Sequence, residues 1–466
     1  MSCRSTFRAA TIGFMLMGGV AAVSLTGFAV SSAKAETIWQ SLALAYANNP
    51  SLNAARATLR STDEGVPQAL AGWRPTVSLG ANIGRTWEDS GSRNLAAVQN
   101  NAAISLTVSQ TVFAGFRTVN SVRQAEAIVR AQRESLISTE QDTLLSAATA
   151  YVNVIQDTAL VSLQRSDLAF LQEQVRAARD RFDVGEGTRT DVSQAEARAA
   201  EAQASLNSAL ANLNASRAVY RQVIGIEANN LSADTGIAKF VPKSLDSALK
   251  TSEVKQPLIR QAQHLVDAAV FNVKAIEGQR LPTVTVDGSL SRSVNPSTFF
   301  AENTDSASIT GSVNIPLYQA GTVSSSIRQA KESLGETRLQ LDVTRDQIRA
   351  NVISAWGNYQ AAEASIVAAQ AAVEASQLAL EGVIEEQRVG QRTTLDVLDA
   401  QRELVTQQSN LVQAQSNRII SGYQLVSSVG SLSATDLGLH VQIYDPSQHY
   451  KAVRGKWFGS RTPDGR

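Results

Sequence analysis

Two aspartates, Asp396 and Asp399, lie three residues apart and could act together as a pair of carboxylates. They lie in the stretch RVGQRTTLDVLDAQ, residues 388–401. Positions i and i+3 share one face of a helix, so both carboxylates would point to the same side. The alternative is purely structural, because aspartates in a first helical turn stabilise the helix dipole by about 0.3–1 kcal/mol each. Either interpretation requires a helix that begins close to Asp396.

Residues suited to catalysis or metal binding are scarce in this sequence. The single cysteine is Cys3, and the three histidines have no metal-ligand spacing. There is no G-x-S-x-G, P-loop or dinucleotide-binding glycine pattern. Basic and acidic residues balance at 42 each, which argues against nucleic acid as a ligand. We therefore predict a protein with no enzymatic activity, no cofactor, no metal site and no nucleic-acid partner.

The first 35 residues have the features of a secretory signal peptide. Two arginines precede an apolar stretch over residues 9–30, and an Ala-x-Ala motif ends at Ala35. An uncleaved anchor is the alternative, because about 20 apolar residues can span a bilayer. Cleavage after Ala35 would export the chain with Glu36 as its first residue and would remove Cys3.

The rest of the sequence is a tandem duplication. The Val-Gly pair at Val184 recurs at Val389, an offset of 205 residues. Upstream, WRPTVSLG from Trp73 matches RLPTVTVDG from Arg280 with an offset of 207. A repeat of this length indicates that one structural unit occurs twice. The resulting division is a signal peptide at 1–35, a first repeat at 36–230, a second repeat at 231–432 and a C-terminal tail at 433–466.

Each repeat has a long segment with an apolar residue at every seventh position. Proline is absent from residues 76–241 and 317–445, which permits very long helices. The heptad positions include Ala147, Val154, Val161, Leu168, Val175 and Phe182 in the first repeat, and Val352, Tyr359, Ile366, Val373 and Leu380 in the second. Heptads predict supercoiled helices, and about 65 residues at 1.5 Å each reach roughly 100 Å, too long for a globular core helix. The pattern therefore predicts long coiled-coil hairpins.

Two pairs of segments with period-two alternation precede these arms. In the first segment Val77 and Leu79 alternate with Ser78 and Gly80. One apolar and one small polar face is typical of transmembrane β-barrel strands, although a half-buried soluble strand gives the same pattern. The predicted strands are about 75–88, 102–113, 282–294 and 307–317, with long polar loops at 89–101 and 295–306. Four strands cannot close a membrane barrel, so a chain with these strands in a membrane must oligomerise.

The hairpins turn at the two Val-Gly pairs, at 185–190 and 390–395. Gly185 and Gly390 supply the backbone freedom that ends an outgoing helix. Thr190 and Thr393 lie where an N-cap would begin the returning helix.

The signal peptide, the duplicated strand pairs, the two proline-free arms and the motif VGQRTTLDVLDAQ together resemble the TolC family of outer-membrane channel-tunnels. The resemblance covers essentially the whole mature chain. It implies a mainly α fold with membrane β, in which a homotrimer combines four strands per chain into one β-barrel and its hairpins into a periplasmic α-barrel. Segments 37–48 and 231–253 and the tail would form an equatorial belt. It also implies an exit duct for efflux or type I secretion, joined through a periplasmic adaptor to an inner-membrane pump or ABC transporter.

The same resemblance implies roles for residues at the tips. Asp396 and Asp399 from three subunits would form a ring of six carboxylates at the periplasmic aperture. The implied gate latch joins Arg392 of one arm to the neighbouring tip near Thr190 and Asp191. Family members often have tyrosine two positions before the Val-Gly pair, where this sequence has Gln387, and Arg189 is a candidate to substitute for that contact.

Two other functions fit parts of the pattern. A periplasmic adaptor also contains a helical hairpin, but it has one hairpin rather than two preceded by barrel-like strands. An exported coiled-coil scaffold would not need period-two strand pairs at matching positions. The sequence does not indicate the cargo or which transporter docks.

Overall fold

The described part of the chain is mostly helical, with one antiparallel sheet. The computed structural model describes residues 36–90, 95–233, 236–296, 301–463 and 465, so the predicted signal peptide lies outside it. The first repeat contains α1 (Ile38–Asn48), α2 (Pro50–Asp63), α3 (Gly65–Leu70), β1 (Thr76–Ser90), β2 (Leu95–Ala114), α4 (Arg117–Asp183) and α5 (Arg189–Ile224). The second contains α6 (Leu245–Lys255), α7 (Pro257–Glu277), β3 (Thr283–Pro296), β4 (Ala301–Asn314), α8 (Thr322–Arg388) and α9 (Thr394–Val429). A last helix, α10 (Pro446–Arg454), lies in the tail.

The sheet has the strand order β1-β2-β3-β4, with every neighbouring pair antiparallel. Because side chains alternate along a strand, aligned residues on the four strands share one face. One row of the apolar face consists of Leu79, Leu106, Leu290 and Ala307. The adjacent row on the opposite face consists of Ser78, Thr107, Ser289 and Ser308. The period-two pattern thus produces a sheet with one apolar and one polar face.

The strands are longer than the sequence pattern predicted. β1 continues to Ser90 and β2 begins at Leu95, so most of the predicted loop at 89–101 is strand. β3 likewise continues to Pro296 and β4 begins at Ala301, which contradicts the long loop predicted at 295–306. Alternating apolar residues indicate a strand only where such residues occur. Backbone pairing continues beyond them, because the hydrogen bonds between strands do not depend on side-chain polarity.

The two helical hairpins have matching dimensions. α4 and α8 each contain 67 residues, and α5 and α9 each contain 36. At 1.5 Å per residue the long helices measure about 100 Å. By length and composition α4 could cross a membrane, but it is more than three times the length that a bilayer requires and much of its apolar stretch is buried against other helices. Its apolar residues are therefore those of a packed coiled-coil arm.

The two long helices differ in how much of their surface the chain covers. Buried positions occur along most of the length of α4, from Asn120 to Ala178, where α2, α5, α7 and α9 pack against it. Along α8 the buried positions are Ile327, Ala330, Ile348, Val352 and Leu380. Since the two helices occupy equivalent positions in the repeats, the exposed surface of α8 corresponds to surface that the second repeat covers on α4.

A compact belt surrounds the middle of the hairpins. Its centre includes Tyr151 and Tyr220, both fully buried. The Tyr220 hydroxyl donates to the Glu36 carboxylate at 2.7 Å, and the Tyr151 hydroxyl donates to the Glu36 carbonyl at 2.8 Å. Glu36 also forms a parallel β-bridge with Leu231, which ties the beginning of the described chain to the segment between the repeats. In the tail, His449 Nδ1 lies 3.0 Å from Oδ2 of the buried Asp63 and holds α10 against α2.

Candidate functional site at the hairpin tips

The two tip turns have the same backbone geometry. Gly185 has φ +80° and Gly390 has φ +79°. A Cβ at either position would meet no atom within 4 Å, so a larger residue would not clash there. Glycine is favoured instead because it adopts the left-handed backbone conformation without strain. In both turns the chain makes hydrogen bonds back to the last turn of the outgoing helix, as in Glu186 N–H to Arg181 O at 2.8 Å and Gln391 N–H to Glu386 O at 2.9 Å.

Each returning helix begins with a reciprocal capping box. Thr393 is the N-cap of α9, and its hydroxyl accepts from the Asp396 N–H at 3.3 Å while the Asp396 carboxylate accepts from the Thr393 N–H at 2.8 Å. In the first repeat Thr188 and Asp191 make the same pair of bonds. The expectation that Thr190 is an N-cap is therefore wrong, and Thr190 is the second residue of α5. The duplication pointed to Thr188, which lies 205 residues before Thr393.

The bonds of the capping box lower the pKa of Asp396. The Thr393 backbone N–H and then the Thr393 hydroxyl donate to the carboxylate, and together they lower the pKa of Asp396 below its ordinary value of 3.8. The nearby Arg392 guanidinium acts in the same direction. Asp396 therefore stays ionised to a lower pH than an aspartate without these bonds.

Arg392 has an ion-pair partner within its own turn. Its Nε donates to Glu386 Oε2 at 2.8 Å, and both side chains are about half exposed. The latch from Arg392 to a neighbouring tip near Thr190 and Asp191 concerns contacts between copies of the chain, and it remains a prediction.

Asp399 faces the other hairpin of the same chain. Arg198 on α5 donates from Nη2 to Asp399 Oδ1 at 2.9 Å and from Nη1 to Glu201 Oε2 at 3.0 Å. The Arg198 side chain is three-quarters buried, whereas that of Asp399 is more than half exposed. The two aspartates of the motif are thus in different environments, one in a cap and one in an ion pair between the repeats.

Side chains in the helices next to the turns hold the two hairpins together. Leu398 of α9 is buried in a cluster with Leu171 and Ala195 of the first hairpin. Gln401 donates to Asp167 at 2.8 Å across the same interface. Gln387, where the family often has tyrosine, donates to the Thr394 hydroxyl at 3.3 Å and so bridges its own turn.

Sequence reasoning identified the aspartates and the glycines but missed the partners of the charged groups. Arg198 and Glu386 were not singled out, because the partner of a charge on another element cannot be deduced from spacing along one helix. Among the described residues, no group of three or more histidine, cysteine, aspartate or glutamate side chains is placed to hold a metal ion. In the described part of the chain, the tip is thus a pair of capped turns with charged side chains, among them Arg392, Asp396 and Asp399.

Comparison with known proteins assigns this architecture. The family model described as Outer membrane efflux protein matches residues 41–225 and 248–431, once in each repeat. The chain belongs to the outer membrane efflux protein family. It is 43% identical to the outer membrane efflux protein BepC of Brucella suis over 448 residues, covering 96% of this chain and 97% of BepC. It is 27% identical to the outer membrane protein TolC of Escherichia coli over 433 residues, covering 89% and 86% of the two chains.

Solved structures of outer-membrane channels have the same fold. The outer membrane protein VceC of Vibrio cholerae superimposes with a TM-score of 0.71 at 20% identity, covering 84% of this chain and 96% of VceC. Membership in the outer membrane efflux protein family confirms the predicted resemblance, the mainly helical fold with membrane strands and the location in the outer membrane with a long periplasmic extension.

Proposed function

We propose that three copies of this chain form a passive exit duct in the outer membrane, through which an inner-membrane transporter discharges its cargo. The observation that carries the proposal is the four-stranded sheet with one apolar face and one polar face. In the sheet of the described residues, β1 and β4 each have a single partner strand. Unpaired strand edges are not tolerated in hydrocarbon, so the sheet must be completed by other copies.

Three copies supply 12 strands, within the range of closed membrane barrels, which start at about eight. The apolar face would contact lipid and the polar face would line the lumen. Serines on the polar face bond to each other across β3 and β4, with Ser289 Oγ to Ser308 Oγ at 2.8 Å and Ser291 Oγ to Ser306 Oγ at 2.7 Å. These small polar side chains leave space for solvent and solutes in the lumen.

The uncovered surface of α8 supports the same assembly. In the chain, α7 and α9 of the second repeat pack against α4. In a closed trimer, α2 and α5 of the next copy occupy the equivalent positions against α8. The arms then form a continuous α-barrel about 100 Å long, which carries the lumen from the membrane to the tips.

At the tips, Asp396 and Asp399 of three copies form the periplasmic aperture, and the turns at Gly185 and Gly390 present a surface to a periplasmic adaptor. The duct performs no chemistry, and the energy for transport comes from an inner-membrane efflux pump or ABC transporter. A periplasmic adaptor or scaffold is the second candidate, but neither requires an amphipathic sheet of four strands.

Lipid-phase labelling tests the barrel, since the predicted mature chain has no cysteine. Single cysteines replacing Val77, Leu106, Val286 or Val313 should react with a membrane-soluble maleimide, and cysteines replacing Ser78 or Thr107 should react with a water-soluble one. Equal labelling of both faces would contradict the barrel. Deletion of the gene should increase sensitivity to detergents or abolish secretion of a protein, and a strain unchanged in both respects would contradict the exit duct.

A further inference from the structure

The duplication provides a template for contacts between copies. The 205-residue offset is visible in the backbone, because Gly115 and Phe116 have positive φ before α4, as Ala320 and Gly321 have before α8. The 207-residue offset relates the end of α3 to the end of α7, and β1 to β3. If the trimer of the proposed function forms, β4 of one copy lies beside β1 of the next. We call this boundary between β4 of one copy and β1 of the next the seam. The junction of β2 with β3 inside the chain is the equivalent boundary and serves as its template.

Inside the chain this junction is unusually close at the base of the sheet. A Cβ on Gly115 would lie 2.3 Å from the Gly278 carbonyl oxygen, and a Cβ on Gly278 would lie 2.2 Å from the Gly115 carbonyl oxygen. These distances are far below van der Waals contact, so the two backbones can meet only because both residues are glycine.

The seam between copies cannot have the same close contact. The equivalent of Gly115 is Ala320, and the equivalent of Gly278 is Ala71. Both alanines carry the Cβ that the internal junction excludes. Two copies must therefore remain farther apart at this level than the two repeats do, and a gap follows at the base of the barrel on the periplasmic side.

The C-terminal tail is anchored at that place. Arg74, two residues before β1, donates from Nη1 to the Lys456 carbonyl at 2.7 Å. The Arg74 guanidinium also lies over the Trp457 ring, 5.0 Å from its centroid. Trp457 is 65% exposed and the next residue, Phe458, is 90% exposed. Two large aromatic side chains are thus held at the edge strand without being covered by their own chain.

The facing edge is also apolar and uncovered. β4 ends at Asn314 and is followed by Leu317 and Tyr318, which are 92% and 86% exposed. Tyr318 is the equivalent of Phe113, whose ring packs edge-on against Phe116 with centroids 5.2 Å apart. In the second repeat Gly321 replaces Phe116, so the ring that would cover Tyr318 within the chain is missing.

We propose that Trp457 and Phe458 fill the seam and pack against Leu317 and Tyr318 of the neighbouring copy. The tail thereby seals the base of the barrel at each subunit boundary, where the alanines keep the backbones apart. Burial of four large apolar side chains at each seam is the driving force, and aromatic pairs add to it through edge-on packing.

Disulfide trapping in the full-length protein tests this contact. The pair Tyr318→Cys with Phe458→Cys, oxidised in outer-membrane extracts, should give covalent dimers and trimers on denaturing non-reducing gels. The matched control is Val343→Cys with Phe458→Cys, since Val343 is exposed on α8 but about 30 Å farther along the arm. This control should remain monomeric on the same gels.

The size of the protein in detergent, measured without oxidation, separates the inference from the proposed function. A trimer whose cysteine pair gives no more covalent product than the control would overturn the seam contact and leave the exit duct intact. A monomer would overturn both. Quenching of Trp457 fluorescence by brominated lipid, without cross-linking, would assign the tail to the membrane surface and overturn the inference.

A truncation provides a second readout that does not depend on disulfide geometry. Removal of residues 456–466 should lower the temperature at which the trimer dissociates, while the helical circular dichroism signal of the full-length protein is retained. An unchanged dissociation temperature would also contradict the proposal.

Discussion

The Arg198 guanidinium lies 2.9 Å from the Asp399 carboxylate and joins the returning helices of the two repeats just above the tips. Asp396, one helical turn away, accepts hydrogen bonds from Thr393 and lies near Arg392, whose Nε donates to Glu386. Asp399 therefore has a direct ion pair within the chain, whereas Asp396 has its capping bonds and only the weaker electrostatic influence of Arg392. The two carboxylates at the proposed aperture are not equivalent.

We predict that Asp396→Asn lowers cation selectivity more than Asp399→Asn does. Asparagine retains an acceptor for the Thr393 N–H, so the helix cap persists while three charges per trimer disappear. The measurement is the reversal potential in a planar bilayer under a salt gradient. An unaltered reversal potential in the Asp396→Asn, Asp399→Asn double variant would show that neither residue lines the pore.

Replacement of Arg198 should have the opposite effect on selectivity. Arg198→Gln removes the counter-ion of Asp399, so cation preference should rise, and the hairpins lose a contact at the tip, so single-channel conductance should also rise. The pair is partly exposed and contributes at most about 1 kcal/mol, so the trimer should assemble normally. Arg179→Gln is the matched control, because Arg179 pairs with Glu196 within the first hairpin. Equal effects of the two variants would argue against a specific role for the Arg198–Asp399 pair.

The gate latch predicts that Arg392→Ser increases conductance. Within the chain Arg392 bonds to Glu386, so Glu386→Gln serves as the control that breaks this local pair and leaves Arg392 free to contact a neighbouring copy. If the latch joins copies, Arg392→Ser opens the aperture and Glu386→Gln does not. Conductance unchanged in both intact trimers would eliminate the latch.

The pH dependence of selectivity follows from the lowered pKa of Asp396. A carboxylate whose folded-state pKa is depressed contributes stability that is present above its ordinary pKa of 3.8 and is lost as the pH falls through the folded value. Cation preference should therefore persist to below pH 3.8. Thr393→Val removes the hydroxyl that donates to the Asp396 carboxylate and accepts from the Asp396 N–H, while the Thr393 N–H is retained. The preference should therefore decline at a somewhat higher pH, with a stability loss of about 1 kcal/mol. Reversal potentials between pH 3 and 6 provide the measurement, and coincident profiles would contradict the role of the cap.

Much of the fold could be predicted from the sequence because its patterns are long. Heptads over many turns predicted the arms, and alternation predicted four strands with the correct apolar faces. The strand ends could not be predicted, because backbone pairing continues through polar residues such as Asn100 and Asn101. The register shift between Thr111 and Phe113 was also invisible, since a bulge has no reliable side-chain pattern.

The site was predictable where it depends on local chemistry and unpredictable where it depends on tertiary contact. Gly185, Gly390 and Thr393 follow from turn and cap preferences. The cap of α5 is Thr188 and not Thr190, because the second repeat has its cap 205 residues later at Thr393 and the two turns have the same geometry. Arg198 meets Asp399 through the packing of α5 on α9, which no pattern in either helix encodes.

Single-channel recording from the purified full-length protein in a planar bilayer tests the central claim most directly. The exit-duct assignment predicts that a homogeneous trimer produces discrete, uniform conductance steps and a cation-selective reversal potential. A homogeneous trimer that inserts into the bilayer but produces no conductance steps, even with Arg198→Gln and Arg392→Ser combined, would contradict it.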